Sequence, residues 1–336
     1  MRMRWNKKLT VVAVFGLLIA GTLVMSGCTG SDDNQLNQTG SSTVLPLAKA
    51  WAEEYDGAQI SVSGGGSSHG ISALLKGEAD LADASRQLKP EDIEKVGGDP
   101  SKVTDNGTVT GPIKVNGREV EPTKWVVAHD VLTVVVNNQN DWVDELNYTQ
   151  LYHIFTTDDT SIYWDDVSGL DDAPHKKIRI YAPDEASGTY DYFFESIGGL
   201  DNSRLGHDVD KDGKKDYHPS ADDNVILDAI KNNEYAIGYF GYAYYKQNTE
   251  KVNALSIAEE DEEAVPPTTE NVADYPLSRP LHIYTDGVPE EGSTINDYLR
   301  YVLSEEGQSI VPGVGYIKVG DVSPGLLQHQ LDRLGG

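Results

Sequence analysis

From Thr43 to Tyr55 the apolar residues Leu47, Ala50, Trp51 and Tyr55 recur at helical intervals, and Gly57 supplies a stop. The strand-like Gln59-Ile60-Ser61-Val62 follows, then a triple-glycine turn, a helix over 70–76 closed by Gly77, and a stretch over 79–86 that reads as a short strand running into a turn. This βαβ rhythm predicts an α/β domain. Residues 97–123 lack periodicity and read as an exposed hairpin or loop. The apolar, β-branched run at 125–136 is too long for one short buried strand, and is placed to carry the chain from one domain into another. Asn140-Asp141-Trp142 reads as the cap of a helix through Phe155. Beyond it come an extended run at 177–181, an aromatic helix at 190–197 that stops at Gly198-Gly199, a helix started by Asp222-Asp223-Asn224, and a buried strand and turn at 236–245. A second crossing falls at 276–284, and a tail helix with Ile295, Leu299, Val302 and Leu303 on one face returns to the first domain. Two crossings imply two lobes, a hinge and a cleft between them: 40–128 with 280–336 as lobe 1, and 129–279 as lobe 2.

The first residues are of another kind. Arg2, Arg4, Lys7 and Lys8 precede an apolar run from Leu9 to Val24, somewhat short for a membrane span, and small residues lead to Cys28, the one cysteine of the chain. This predicts an export signal at 1–27. From Thr29 to Thr39 the chain is rich in Ser, Asp, Asn and Gln, so 28–39 reads as a flexible tether.

Charge narrows the partners. The chain has 27 basic and 54 acidic residues, and without the leader 23 against 54, a net −31. Nucleic acid is therefore excluded as a partner class. An acidic surface of this kind fits an extracellular protein of a saline habitat, where screening lets an anion approach; an ordinary acidic mesophile is the alternative.

Candidate chemistry lies in three turns. Gly40-Ser41-Ser42-Thr43, Gly64-Gly65-Gly66-Ser67-Ser68 and Ala186-Ser187-Gly188-Thr189 each stand before a helix and offer hydroxyls and backbone N–H groups without charge. Ser85 and Arg86, at the end of a strand, belong beside them, because ligands of open α/β sheets gather at the carboxyl ends of strands. Together they suggest one shared oxyanion.

Gly40–Val44 and Asp83–Arg86, with Leu132–Asn137, Asn140–Asp144, Ser187–Phe193, Asp222–Val225, Gly238–Tyr245 and Pro276–Leu281, resemble the PstS phosphate-binding proteins, in particular their SphX-like branch. The resemblance spans nearly all of the mature chain, in order. It implies a two-lobed periplasmic-binding-protein fold of type 2, which binds inorganic phosphate and delivers it to the permease subunits and cytoplasmic ATPase of an ABC importer, with no catalysis and no required cofactor. It implies ligand contacts from Ser42, Thr43, Val44, Ser67, Ser85, Arg86, Ser187, Gly188 and Thr189. Cys28 resembles the acylated cysteine of a lipoprotein, which implies an extracytoplasmic protein anchored to the membrane by lipid. Two departures stand out. Many members carry an Arg where this chain has Pro183, and an Asp near Ser85. Arg86 is the candidate for the missing positive charge, and Asp83, Asp184 and Glu185 are candidates for the acceptor of a ligand proton that rejects sulfate.

Other readings remain open at this point. Gly66-Ser67-Ser68-His69-Gly70 fits the Gly-x-Ser-x-Gly pattern of a secreted serine hydrolase with Ser68 as nucleophile, although no Asp and His pair stands out downstream. A binding protein for sulfate or molybdate is a further alternative. Asp208, Asp210, Asp212 and Asp216 follow the D-x-D-x-D-G-x-x-D spacing of a structural calcium loop, but position twelve is Pro219, and a solvated acidic insertion explains the same residues.

Overall fold

The apolar run at 125–136 is the body of a single 16-residue strand, Pro122–Asn137. At roughly 3.3 Å per residue it is about 50 Å long. Its last thirteen positions are all buried, so both faces are covered and an alternating pattern is absent from the sequence. The computed structural model describes residues 34–104, 106–156, 162–184, 188–199, 203–205, 216–220, 222–260 and 262–335. The export signal, Cys28, Ser187, Glu185 and Asp208–Asp212 lie outside them.

In chain order the strands are β1 (Gln35–Gly40), β2 (Gln59–Gly64), β3 (Leu81–Ala84), the hairpin β4 (Ile113–Val115) and β5 (Arg118–Val120), the long β6, β7 (Glu145–Asn147), β8 (Arg179–Pro183), β9 (Tyr217–Ser220), β10 (Ala236–Gly241), β11 (Val252–Ala254), β12 (Ser256–Ala258) and β13 (Ser278–Asp286). Nine of them form one sheet in the order β2-β1-β3-β13-β6-β10-β8-β9, with β11 also on β6. The long strand changes partner halfway. Pro122–Val131 pairs antiparallel with β13, and Leu132–Val136 pairs antiparallel with β10. Both crossings thus lie side by side, and the Leu132 N–H donates to the Leu277 carbonyl where the change occurs.

The apolar side chains divide the same way. One cluster gathers residues from Val131 to Leu277, with Ile317 from the tail, around Trp164, Phe155, Phe193 and Tyr239. Two others draw on Leu36–Ala128 and Leu281–Leu334, around Trp51, Trp125, Tyr298 and Tyr284. Asn34–Gly336 is one compact unit in which these cores share a sheet.

The tether proves shorter than its composition indicates. Gln35–Gly40 is β1, parallel to both β2 and β3 and therefore internal to the sheet. Its polar side chains are used inside: buried Gln38 donates to Asp83 Oδ1 at 2.7 Å and accepts from the Tyr298 hydroxyl at 3.0 Å. The helix before Phe155 also starts later than expected. Asn140 caps only a turn, its Oδ1 accepting from the N–H groups of Trp142 and Val143, and the helix runs Tyr148–Phe155 behind a capping box of Asn147 and Gln150. In the β4–β5 hairpin, Asn116 and Gly117 both take positive φ, as a two-residue primed turn requires.

Candidate functional site

Because β1, β2 and β3 are parallel, the turns that follow them lie along one edge of the sheet. Helix α1 (Leu45–Glu54) follows the first turn and α2 (Ser67–Lys76) the second, while Ser85 and Arg86 follow β3 directly. Gly40 permits the close approach on which this depends. Its φ is +146°, and a Cβ there would lie 2.1 Å from the Asp83 carbonyl oxygen. That carbonyl accepts the Ser41 N–H at 2.9 Å, and the Gly40 carbonyl accepts the Gly66 N–H at 2.9 Å, so the three turns are laced together through backbone.

A cavity of about 230 Å³ opens where they meet. Lobe 1 lines it with Ser41, Ser42, Thr43, Gly66, Ser67, Ser68, Ser85 and Arg86; Asp191 and Glu195 come from helix α3 (Gly188–Ser196), and Arg279 from β13. Of the residues singled out in the sequence, Ser42, Thr43, Ser67, Ser85 and Arg86 are therefore together. Val44 is fully buried in the core, and its N–H donates to Ser41 Oγ at 3.4 Å. Gly188 and Thr189 begin α3, the helix that faces the cavity. Ser67 and Ser85 are joined directly, the Ser85 N–H donating to Ser67 Oγ at 3.1 Å.

Both guanidinium groups have a carboxylate. Arg86 donates to Asp92 Oδ2 at 2.7 Å and Oδ1 at 2.8 Å, and also to the Gln87 carbonyl and Ser68 Oγ. Burial opposes the charge of each partner, but the bond between them prevails, raising the Arg86 pKa and lowering that of Asp92. Arg279 donates to Asp130 Oδ2 through Nε at 3.1 Å and Nη2 at 3.0 Å. Burial pushes the Asp130 carboxyl up against the pull of Arg279, and does the same to Asp191.

The proton-acceptor candidates are rearranged. Asp83 is fully buried beneath the turns with its carboxyl on Gln38, and neither it nor Asp184 lines the cavity. Among the described residues, the carboxylates that do are Asp191 and Glu195. Sequence reasoning missed them, and missed Arg279. The available signal was Asp130 inside an apolar run, facing Arg279 inside the other crossing.

Comparison with known proteins decides the family. The profile of the PBP superfamily domain, PBP-like 2, matches residues 28–306. The phosphate-binding protein PstS of Staphylococcus aureus strain MRSA252 is 30% identical over 331 residues, covering 94% of this chain and 89% of that protein. The chain belongs to the PstS family. A solved structure described as a possible phosphate-binding protein of Planctomyces limnophilus DSM 3776 superimposes with a TM-score of 0.72 at 29% identity, covering 90% of this chain and 97% of that one. A candidate phosphate ABC transporter substrate-binding protein of Clostridium perfringens, solved with bound phosphate, has a TM-score of 0.52 at 25% identity, covering 85% and 100%. The family fold is the two-lobed α/β architecture expected from the two crossings.

Within this PstS-family fold the hydrolase reading loses its footing. Ser68 lies in the first turn of α2, and its Oγ accepts a hydrogen bond from Arg86 Nη2 at 2.7 Å. A guanidinium cannot take the hydroxyl proton, which a nucleophile requires of its neighbour.

Proposed function

We propose that the chain is an extracytoplasmic receptor that binds inorganic phosphate between its lobes and delivers it to an ABC importer. The observation that carries this is the meeting of three hydroxyl-rich turns from three parallel strands with Arg279 and the facing helix at one cavity. Ser42, Thr43, Ser67, Ser85 and Arg86 would hold the anion from lobe 1, and Ser187, Gly188 and Thr189 from lobe 2. Val44 would contribute through its N–H, with the ligand displacing Ser41 Oγ. The names of the relatives support phosphate as ligand and a transporter as partner.

The charge pattern favours an anion that carries a proton. Arg86 and Arg279 are each matched by an aspartate, so Asp191 and Glu195 are carboxylates in excess at the cavity wall. Hydrogen phosphate can donate to them, whereas sulfate has no proton to offer and is repelled. The same carboxylates disfavour molybdate, which is unprotonated at neutral pH.

Attachment to the membrane would run through an acyl group on Cys28, the cysteine that follows the apolar leader. A second lipid or an electrostatic contact would be needed for firm anchoring. Titration calorimetry with phosphate tests the reading: a saturable heat with one site per chain is expected, and no heat overturns it.

A further inference from the structure

Arg279 is joined to more of the molecule than an anion site demands. It occupies the crossing strand β13 directly opposite Asp130 of β6, one residue from the point where β6 changes partner. Both side chains are largely buried, Arg279 at 11% and Asp130 at 3% exposure. A buried ion pair adds little net stability over apolar residues of the same size, so stability is a poor reason for charge at this place. The same guanidinium donates through Nη2 to Thr43 Oγ1 at 3.0 Å, within the first turn of lobe 1. Its carbon lies 3.8 Å from the centre of the Tyr192 ring, on the lobe 2 helix that also carries Asp191 and Glu195. Four elements therefore meet at one planar cation: both crossings, a ligand-binding turn of one lobe and the ligand-facing helix of the other.

Arg86 is built differently. Its hydrogen bonds to Gln87, Asp92 and Ser68 all stay within lobe 1. Movement of lobe 2 leaves those bonds untouched, whereas any movement of α3 against β13 must slide Tyr192 over the Arg279 face.

We propose that Arg279 is the closure latch of the cleft, a positioning residue whose guanidinium registers the bound anion on one side and the Tyr192 ring on the other. This rests on the reading of the cavity as the anion site. A ligand shifts a conformational equilibrium only by its different affinity for the two states. An anion beside Arg279 strengthens the grip on Thr43 and draws charge away from Asp130, and the stack on Tyr192 converts that local change into a preferred lobe position.

The test uses the mature chain with inorganic phosphate. It combines affinity by calorimetry, dissociation rate by stopped flow, and the change in radius of gyration on ligand addition by small-angle scattering. Tyr192→Leu removes the stack and leaves Asp130 and Thr43, the hydrogen-bond partners of Arg279, unchanged in the sequence. It is expected to raise Kd and the dissociation rate about tenfold, since a desolvated cation–π contact amounts to roughly that factor, and to shrink the scattering change. Tyr192→Phe keeps the ring face and should restore all three. Arg279→Lys keeps the charge but loses the fork and the stack, and should weaken binding at least as much. Melting curves identify any variant that fails to fold, and Tyr192→Phe then supplies the comparison. If the parent binds phosphate and closes while Tyr192→Leu and Arg279→Lys match it within twofold, the latch is wrong and the binding function stands. If the parent itself takes no phosphate, both fall.

Discussion

Asp92 holds Arg86 by both of its oxygens, at 2.7 and 2.8 Å, and is itself 3% exposed. The pair ties the third turn of the cavity to the helix Pro90–Lys95, because Asp92 also accepts the Lys89 N–H at that helix start. Removing one partner of such a pair leaves an unmatched charge. Asp92→Ala is expected to cost about 3 kcal/mol. At roughly 2–4 °C per kcal/mol for a chain of this size, the melting temperature should fall by about 6–12 °C. Phosphate affinity should fall with it, as Arg86 also positions Ser68. A variant melting within about 2 °C of the parent would show that the pair carries no stability.

Asp191 decides selectivity if the excess carboxylates take the ligand proton. Asp191→Asn can donate as well as accept, so it should weaken phosphate binding and improve sulfate binding, narrowing the gap between them by about tenfold or more, the worth of one charge-assisted hydrogen bond. Competition calorimetry with both anions measures this directly. Equal affinities for phosphate and sulfate in the parent would remove the proton-acceptor argument altogether.

The site itself was partly legible in the sequence, and the limits have physical causes. Ser42, Thr43, Ser67, Ser85 and Arg86 stood out because hydroxyl-rich turns between a strand and a helix have a local signature. Arg279 did not, since its meaning depends on Asp130, 149 residues away on the other crossing strand. The crossings were visible as apolar runs, yet β1 was hidden: Gln35–Gly40 has a linker's composition, and its pairing with β2 and β3 together with the buried contacts of Gln38 with Asp83 and Tyr298 explains why it folds. Asn140 misled for a related reason. The same side-chain bond to backbone N–H groups caps a turn and a helix alike.

Ser42→Ala and Thr43→Ala each remove one hydroxyl from the first turn. Each should weaken phosphate binding by roughly 1.5–3 kcal/mol, as expected for a hydrogen bond to a charged group. Thr43 also accepts from Arg279, so Thr43→Ala should show the larger loss. Unchanged calorimetric isotherms for both variants would place the anion elsewhere.

Asp83 gives the protein a pH dependence of known sign. Burial pushes its carboxyl up to about 7, with the Gln38 bond opposing. A folded-state value above the unfolded one means that the neutral acid is favoured by folding. Its contribution is fully present below about pH 4 and is lost as pH rises through about 7, amounting to at most about 4 kcal/mol. Asp83→Asn does not titrate. Urea unfolding at about pH 5 and about pH 8 should therefore show the parent losing stability relative to the variant at the higher pH. Parallel losses in the two proteins would exclude Asp83 as the source.

Asp216 ends the D-x-D-x-D-G-x-x-D run, and its carboxylate lies 3.1 Å from Lys177 Nζ, both side chains being largely buried. A structural calcium held by Asp208, Asp210, Asp212 and Asp216 would have to share that carboxylate with the lysine. Such an ion is proposed to steady the segment that precedes β9, a strand at the edge of the sheet, and Asp216 is not among the residues lining the cavity. Calcium should then raise the melting temperature while leaving phosphate affinity unchanged. For a Kd of about 0.1 mM, in the range of extracellular calcium modules, about 1 mM calcium adds about 1.4 kcal/mol. Lys177→Met removes the competitor for Asp216 and should enlarge the calcium response at constant ionic strength. Melting curves that coincide in chelator and in calcium, for the parent and for Lys177→Met alike, would leave these aspartates as a solvated acidic insertion.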